Sequence, residues 1–209
     1  GRGASLHFDR PRLPAASTSG QAGAAVWRCP KSEGGNTLAA PMNALREKTL
    51  ATLYGGVWHT TSSHHYDRIL ASGGISPQPD IPNSERFRTT GGEQYYPYAR
   101  SLGAVSVFDF REFDLSAYEA LYPGHSLFYF VPFRLNLGKA IWVEIDIEAV
   151  GERLISGPTL LQRWKADEAY ARGIMGQVEG AHLGVIPTSA FRRRFRVQSG
   201  QEDIEWLTS

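Results

Sequence analysis

Three short runs carry side chains that a β-strand would present to a cleft. Val57-Trp58-His59-Thr60-Thr61 is β-branched and aromatic and ends in His and Thr just ahead of Ser62-Ser63. An imidazole both donates and accepts hydrogen bonds, and a strand end opening onto a cleft presents it without a floppy lever. The plainer role for His59 is a half-exposed cap on the next helix. In Met175-Gly176-Gln177-Val178-Glu179-Gly180, strand alternation puts Gln177 and Glu179 on one face with Val178 in the core. Spacing alone makes Glu179 an ordinary exposed strand carboxylate. In Gly103-Ala104-Val105-Ser106-Val107-Phe108-Asp109-Phe110, the residues Ser106, Phe108 and Phe110 share a face. A ring there stacks on a flat ligand while the hydroxyl reaches a polar group, or both rings simply pack the core.

Other groupings have less chemistry in them. His64 and His65 are adjacent and project about 100° apart on a helix, with no carboxylate to complete a site beside His59, so no metal is expected. Glu144 and Asp146 alternate with Val143, Ile145 and Ile147, which gives a paired-carboxylate hydrolase a formal basis but reads more simply as a solvated strand face. No GxxxxGK[ST] phosphate loop occurs. The lone Cys29 excludes an intramolecular disulfide or a cysteine-based zinc site and suits cytoplasmic work. The chain begins at Gly1 without Met, as expected of a trimmed polypeptide or one excised from a longer one.

These side chains need a scaffold of matching size, and 209 residues at 42% hydrophobic and 21% charged build one good-sized core. Twenty-two Lys and Arg against 21 Asp and Glu leave a net charge of +1, so no global field draws the chain to nucleic acid or membrane. Basic surface is therefore local, with Arg192, Arg193, Arg194 and Arg196 split by alternation between two strand faces. No apolar stretch approaches the roughly 20 residues that span a bilayer, and no targeting signal is visible.

Residues 1–40 are rich in Gly, Ala, Ser and Pro and have no period, so they are expected to form a flexible segment ahead of a domain over 41–209. Helices are expected over 42–54, after Ser62-Ser63 with Tyr66, Ile69 and Leu70 on one face, over 115–122 and over 159–172. Strands are expected over 57–61, 104–110, 126–133, 139–147, 176–185 and 191–197. The stretch 75–102 has several Pro and Gly, no period, and a mix of Arg86, Phe87, Arg88, Tyr95, Tyr96, Tyr98 and Arg100 that suits a binding loop. The class is α+β.

A strand ending in His59-Thr60, a short helix with Ile69-Leu70, the Gly73-Gly74 turn and a late strand with Gln177 and Glu179 together resemble the ADP-ribosyltransferase superfamily. The likeness covers about 57–197. The run Glu179-Gly180-Ala181-His182-Leu183-Gly184-Val185-Ile186-Pro187 looks most like the DarT-type enzymes that modify DNA bases, and next like the PARP-type transferases. The Ser-Thr-Ser strand of the arginine-modifying toxins is missing, as is a clear middle Tyr of a His-Tyr-Glu triad. The resemblance implies a split β-sheet core with short helices and NAD as co-substrate. It makes Glu179 and His59 catalytic, with His59, Thr60, Ser106, Phe108, Gln177 and Arg88 around the cofactor. Arg86, Arg88 and Arg100 would meet a diphosphate or the phosphates of a nucleic-acid acceptor, with protein as the other acceptor class. A toxin-type, DNA-binding enzyme with an antitoxin or immunity partner follows from the same likeness. An RNA 2′-phosphotransferase and a non-catalytic nucleotide- or nucleic-acid-binding module are the alternatives on the same fold.

Overall fold

The computed structural model describes residues 39–89, 91–122, 127–134 and 136–208. The expected flexible segment therefore lies almost wholly outside the described residues. The first helix, α1 (Ala39–Leu53), buries Leu45, Leu50 and Leu53. Its last turn is capped from outside, because the Trp58 indole donates to the Leu53 carbonyl at 2.9 Å. Gly56 is what permits this: a Cβ there would sit 2.4 Å from Trp58 Nε1.

After α1 come β1 (Val57–Thr61), α2 (Ser63–Ala71), β2 (Gly74–Ile75), the one-turn α3 (Tyr98–Ser101), β3 (Ala104–Asp109), α4 (Leu115–Leu121) and α5 (Leu127–Phe130). Then follow β4 (Lys139–Ile145), α6 (Ile147–Val150), β5 (Leu154–Ile155), α7 (Gly157–Ala166), β6 (Glu179–Leu183), β7 (Ile186–Pro187), β8 (Phe191–Gln198) and β9 (Glu205–Trp206). Seven strands form one sheet in the order β5-β6-β3-β1-β4-β8-β9, and β2 pairs with β7 in a separate ribbon. Every pairing is antiparallel. The α+β class is as the sequence implies.

Alternation divides the core between the two faces of the sheet. Trp58, Phe108, Phe110, Trp142 and Phe195 lie on one face with α1 and α4, while Val57, Val105, Val107, Ile141, Val143 and Ile145 lie on the other with Tyr66 of α2. Trp164 and Leu160 of α7 pack on Tyr98, Ala104 and Ala181 at the β3–β6 end.

Several boundaries differ from expectation. The apolar run over 126–133 is not a strand: Leu127–Phe130 is helical, with Leu127 and Val131 buried one turn apart. Periodicity does not separate helix from strand in so short a run. Leu70 is exposed, so Tyr66 and Ile69 alone anchor α2. α7 stops at Ala166, six residues before its expected end, where Glu168 takes φ 50° and the Trp164 indole donates to the Arg172 carbonyl. β4 ends at Ile145 because Asp146 caps α6 by accepting from the Glu148 N–H. Among the described residues, no helix is long and apolar enough to cross a membrane.

Candidate active site

The sheet is continuous but nearly parted between β1 and β3. Those two strands pair only at Val57 with Asp109 and Trp58 with Phe108, whereas β1 runs beside β4 for four residues and β3 beside β6 for five. Continued alternation of the ladder would bring the Thr60 N–H to the Ser106 carbonyl. Instead the His59 side chain fills the position, with Nδ1 3.0 Å from Ser106 O. A carbonyl only accepts, so Nδ1 carries the proton and the neutral ring keeps a lone pair on Nε2. Burial pulls His59 below its ordinary pKa, partly opposed by the Ser106 bond, which keeps the ring neutral near pH 7.

On the other bank of the gap, Glu179 faces Phe108 across the β3–β6 ladder and Ser106 faces Ala181. Glu179 and Ser106 are thus diagonal neighbours on one face, within reach of each other. Ser106 Oγ donates to Glu179 Oε1 at 2.8 Å, and the Met175 N–H donates to Oε2 at 2.8 Å. The Glu179 N–H in turn donates to Met175 O at 2.9 Å, so backbone and carboxylate clamp the 175–179 turn together. Glu179 is only 6% exposed. Burial pushes its carboxyl above the usual range, and the Met175 N–H, the Ser106 hydroxyl and the Arg88 charge only partly offset this.

The turn that presents Glu179 is itself held from behind. Gly157, at the start of α7, lies so close that a Cβ would come 1.8 Å from Gln177 O. Asp109 accepts from the Gly157 N–H at 3.3 Å and pairs with Arg111 through Nε and Nη2, both at 2.8 Å. Burial would raise the Asp109 carboxyl, but hydrogen bonds and charge from Arg111 outweigh it and leave the group ionised below its usual range.

A cleft of about 880 Å³ follows the gap, lined by His59, Thr60, Ser106, Phe108 and Glu179 together with much of the 76–100 segment. Five of the expected site residues therefore meet. Phe108 serves both cleft and core: it lies 5.1 Å from Trp142 and 6.0 Å from Phe110, which is itself wholly core. Gln177 does not join them. It is exposed, precedes β6, and takes φ 66° in the turn, so it shares no strand face with Glu179. Arg88 lies outside the lining, half-buried with φ 55°, although its charge acts on Glu179.

Sequence reasoning missed the Met175 N–H, Phe130 and Arg134. A backbone donor has no residue signature, and Phe130 and Arg134 belong to or follow the run expected as a strand. Phe130 packs edge-on to Phe108 at 5.6 Å and to Phe87 at 5.1 Å, and Arg134 lies over the Phe87 ring at 4.7 Å, so the cleft has an aromatic wall. Glu144 and Asp146 form neither a carboxylate pair nor the expected solvated strand face: Glu144 is buried against Arg193, and Asp146 lies beyond the strand as a helix cap. His65 bonds Glu85 across the cleft lining, and among the described residues no cluster of His, Cys, Asp and Glu is placed to hold a metal ion. Compared with family models and with curated proteins, the chain matches none.

Proposed function

We propose that this chain is an NAD-dependent ADP-ribosyltransferase with Glu179 as its catalytic carboxylate and a nucleic acid as acceptor. The observation that carries the reading is one buried carboxylate, fixed by a hydroxyl and a backbone N–H, in the wall of a cleft large enough for a dinucleotide. NAD supplies a glycosidic bond from ribose to a cationic nicotinamide that departs neutral, so no general acid is required. A single carboxylate suffices for that chemistry, whereas hydrolysis of an ordinary glycoside uses two. The other acids of the lining are Asp80 and Glu85, and Glu85 is engaged by His65.

Each residue has a defined task in this account. Ionised Glu179 places fixed negative charge where positive charge develops on the ribose and accepts from a ribose hydroxyl. Ser106 and the Met175 N–H hold its two oxygens, so little reorganisation is needed. Its raised pKa also makes it a better base for the acceptor nucleophile than an exposed glutamate. Neutral His59 offers Nε2 as an acceptor for ribose, with Thr60 beside it, and Phe108 and Phe130 offer ring faces to nicotinamide. Tyr95, outside the cleft lining but 47% exposed in the same 76–102 segment, offers a ring on which a base of a nucleic-acid acceptor stacks.

The test is incubation of the chain with NAD labelled in its adenylate half and with DNA, RNA and a protein lysate. The expected result is nicotinamide release with label on a nucleic acid, both lost in Glu179→Gln. Label on protein alone overturns the acceptor. Binding without nicotinamide release points to the non-catalytic module, and removal of a 2′-phosphate from RNA points to the phosphotransferase.

A further inference from the structure

Arg86 and Arg100 both line the cleft from the 76–102 segment. Each donates a hydrogen bond to a neutral acceptor: Arg86 Nη2 to Pro77 O at 2.9 Å, and Arg100 Nη2 to Asn83 Oδ1 at 3.1 Å. The Arg100 guanidinium also lies over the Tyr96 ring, 3.8 Å from its centre. Neither pairs with a carboxylate among the described residues, and Arg100 Nη1 is buried without a hydrogen bond. The two charges are close enough to feel each other: burial first, then the Arg100 charge, pulls Arg86 below its ordinary pKa. Two like charges held in a partly desolvated wall are costly unless an anion joins them.

We propose that Arg86 and Arg100 together form a phosphate-binding site in the cleft wall, separate from the Glu179 centre. A guanidinium fork matches two oxygens, so two forks suit a tetrahedral phosphate, while a carboxylate satisfies only one of them. Arg68, Arg134 and Lys139 on the same lining add to the positive potential. Arg88 is not part of the pair, because its electrostatic partner is Glu179. The phosphate comes either from the diphosphate of a dinucleotide or from the acceptor. The proposal adds a phosphate position to the transferase reading and rests on that reading only for the ligand's identity.

The experiment is calorimetric titration of the full chain at low salt with inorganic pyrophosphate, comparing wild type, R86Q/R100Q and a charge-matched control, R153Q/R192Q, whose arginines are exposed and outside the cleft. Wild type and control should bind alike. The R86Q/R100Q variant should bind about 100-fold more weakly, about tenfold for each guanidinium–phosphate pair removed. Equal binding by R86Q/R100Q and the control, or no binding by wild type, overturns the site. Two further pairs identify the source: a selective loss for ADP over adenosine assigns a dinucleotide, and a selective loss for a 5′-phosphorylated over an unphosphorylated short oligodeoxynucleotide assigns the acceptor. If the double variant does not fold, R86K/R100K keeps both charges without the forks and should still bind more weakly; wild-type affinity in it overturns the proposal. None of these titrations needs NAD turnover, so a failed transferase assay and a failed phosphate site are told apart.

Discussion

Two buried glutamates on neighbouring parts of one sheet have opposite surroundings. Glu144 on β4 is 7% exposed and is neutralised by Arg193, which grips it through Nε and, at 3.0 Å, through Nη2. Glu179 on β6 is just as buried, but its direct partners are a hydroxyl and a backbone N–H, neither of them charged. The half of the sheet built on β4 and β8 is thus internally satisfied, while the half built on β3 and β6 keeps an anion whose compensation is incomplete. Uncompensated burial is what shifts a pKa and what a site needs in order to act on a ligand.

Glu179→Gln and Glu144→Gln should separate the two halves most sharply. In Glu179→Gln the shape is kept, since the Ser106 hydroxyl reverses to accept from the amide if required. Turnover of NAD should fall by roughly 10²- to 10³-fold, the usual effect of removing a transition-state electrostatic interaction, with an unchanged circular dichroism spectrum. Near-normal turnover breaks the comparison. Glu144→Gln should leave turnover intact and instead lower stability by about 1 kcal/mol, because Arg193 is 52% exposed and stays solvated. That corresponds to a fall in Tm of about 2–4 °C.

The pH dependence sharpens the same contrast. On the transferase proposal Glu179 acts in its ionised form, so the acid limb of kcat/KM should lie above the ordinary glutamate value of about 4.3. Because the folded pKa is the higher one, the Glu179 contribution to stability is fully present below about pH 4.3 and is lost as pH rises through the folded pKa. His59 runs the other way. Its folded pKa is depressed, so its contribution is present above about pH 6.5 and is lost as pH falls through the folded pKa. Thermal melts of wild type and His59→Gln from pH 5 to 8 should converge if this sign is correct, with wild type losing Tm on the acid side and the variant not.

Smaller effects should follow the distance of each residue from the Glu179 charge. Ser106→Ala removes one of two fixed donors and should lower turnover about tenfold while moving the acid limb further up. An unmoved limb would show that Ser106 does not set the carboxylate. Gln177→Ala should change turnover by less than about twofold, since surface changes away from a site rarely exceed about 0.5 kcal/mol; a larger fall in steady-state assays would return Gln177 to the cofactor site.

β1 and β3 were legible because β-branched and aromatic residues cluster in them, β8 because Phe195 and Val197 alternate with arginines, and the shared face of Ser106, Phe108 and Phe110 follows from alternation. The start of β6 was not legible, because the turn at Gln177, with φ 66°, packs its carbonyl against Gly157, 20 residues earlier, and no local preference encodes that contact. By itself, the sequence determined the α+β class, most of the strands and, in β3, which side chains share a face. Only the tertiary structure decided that β1 and β3 part after two residue pairs, that the imidazole of His59 takes over the Ser106 carbonyl, and that Glu179 loses its solvent while Glu144 gains an arginine. The physical reason is that alternation is a local property of the backbone, whereas solvation and charge pairing depend on which distant strand arrives alongside.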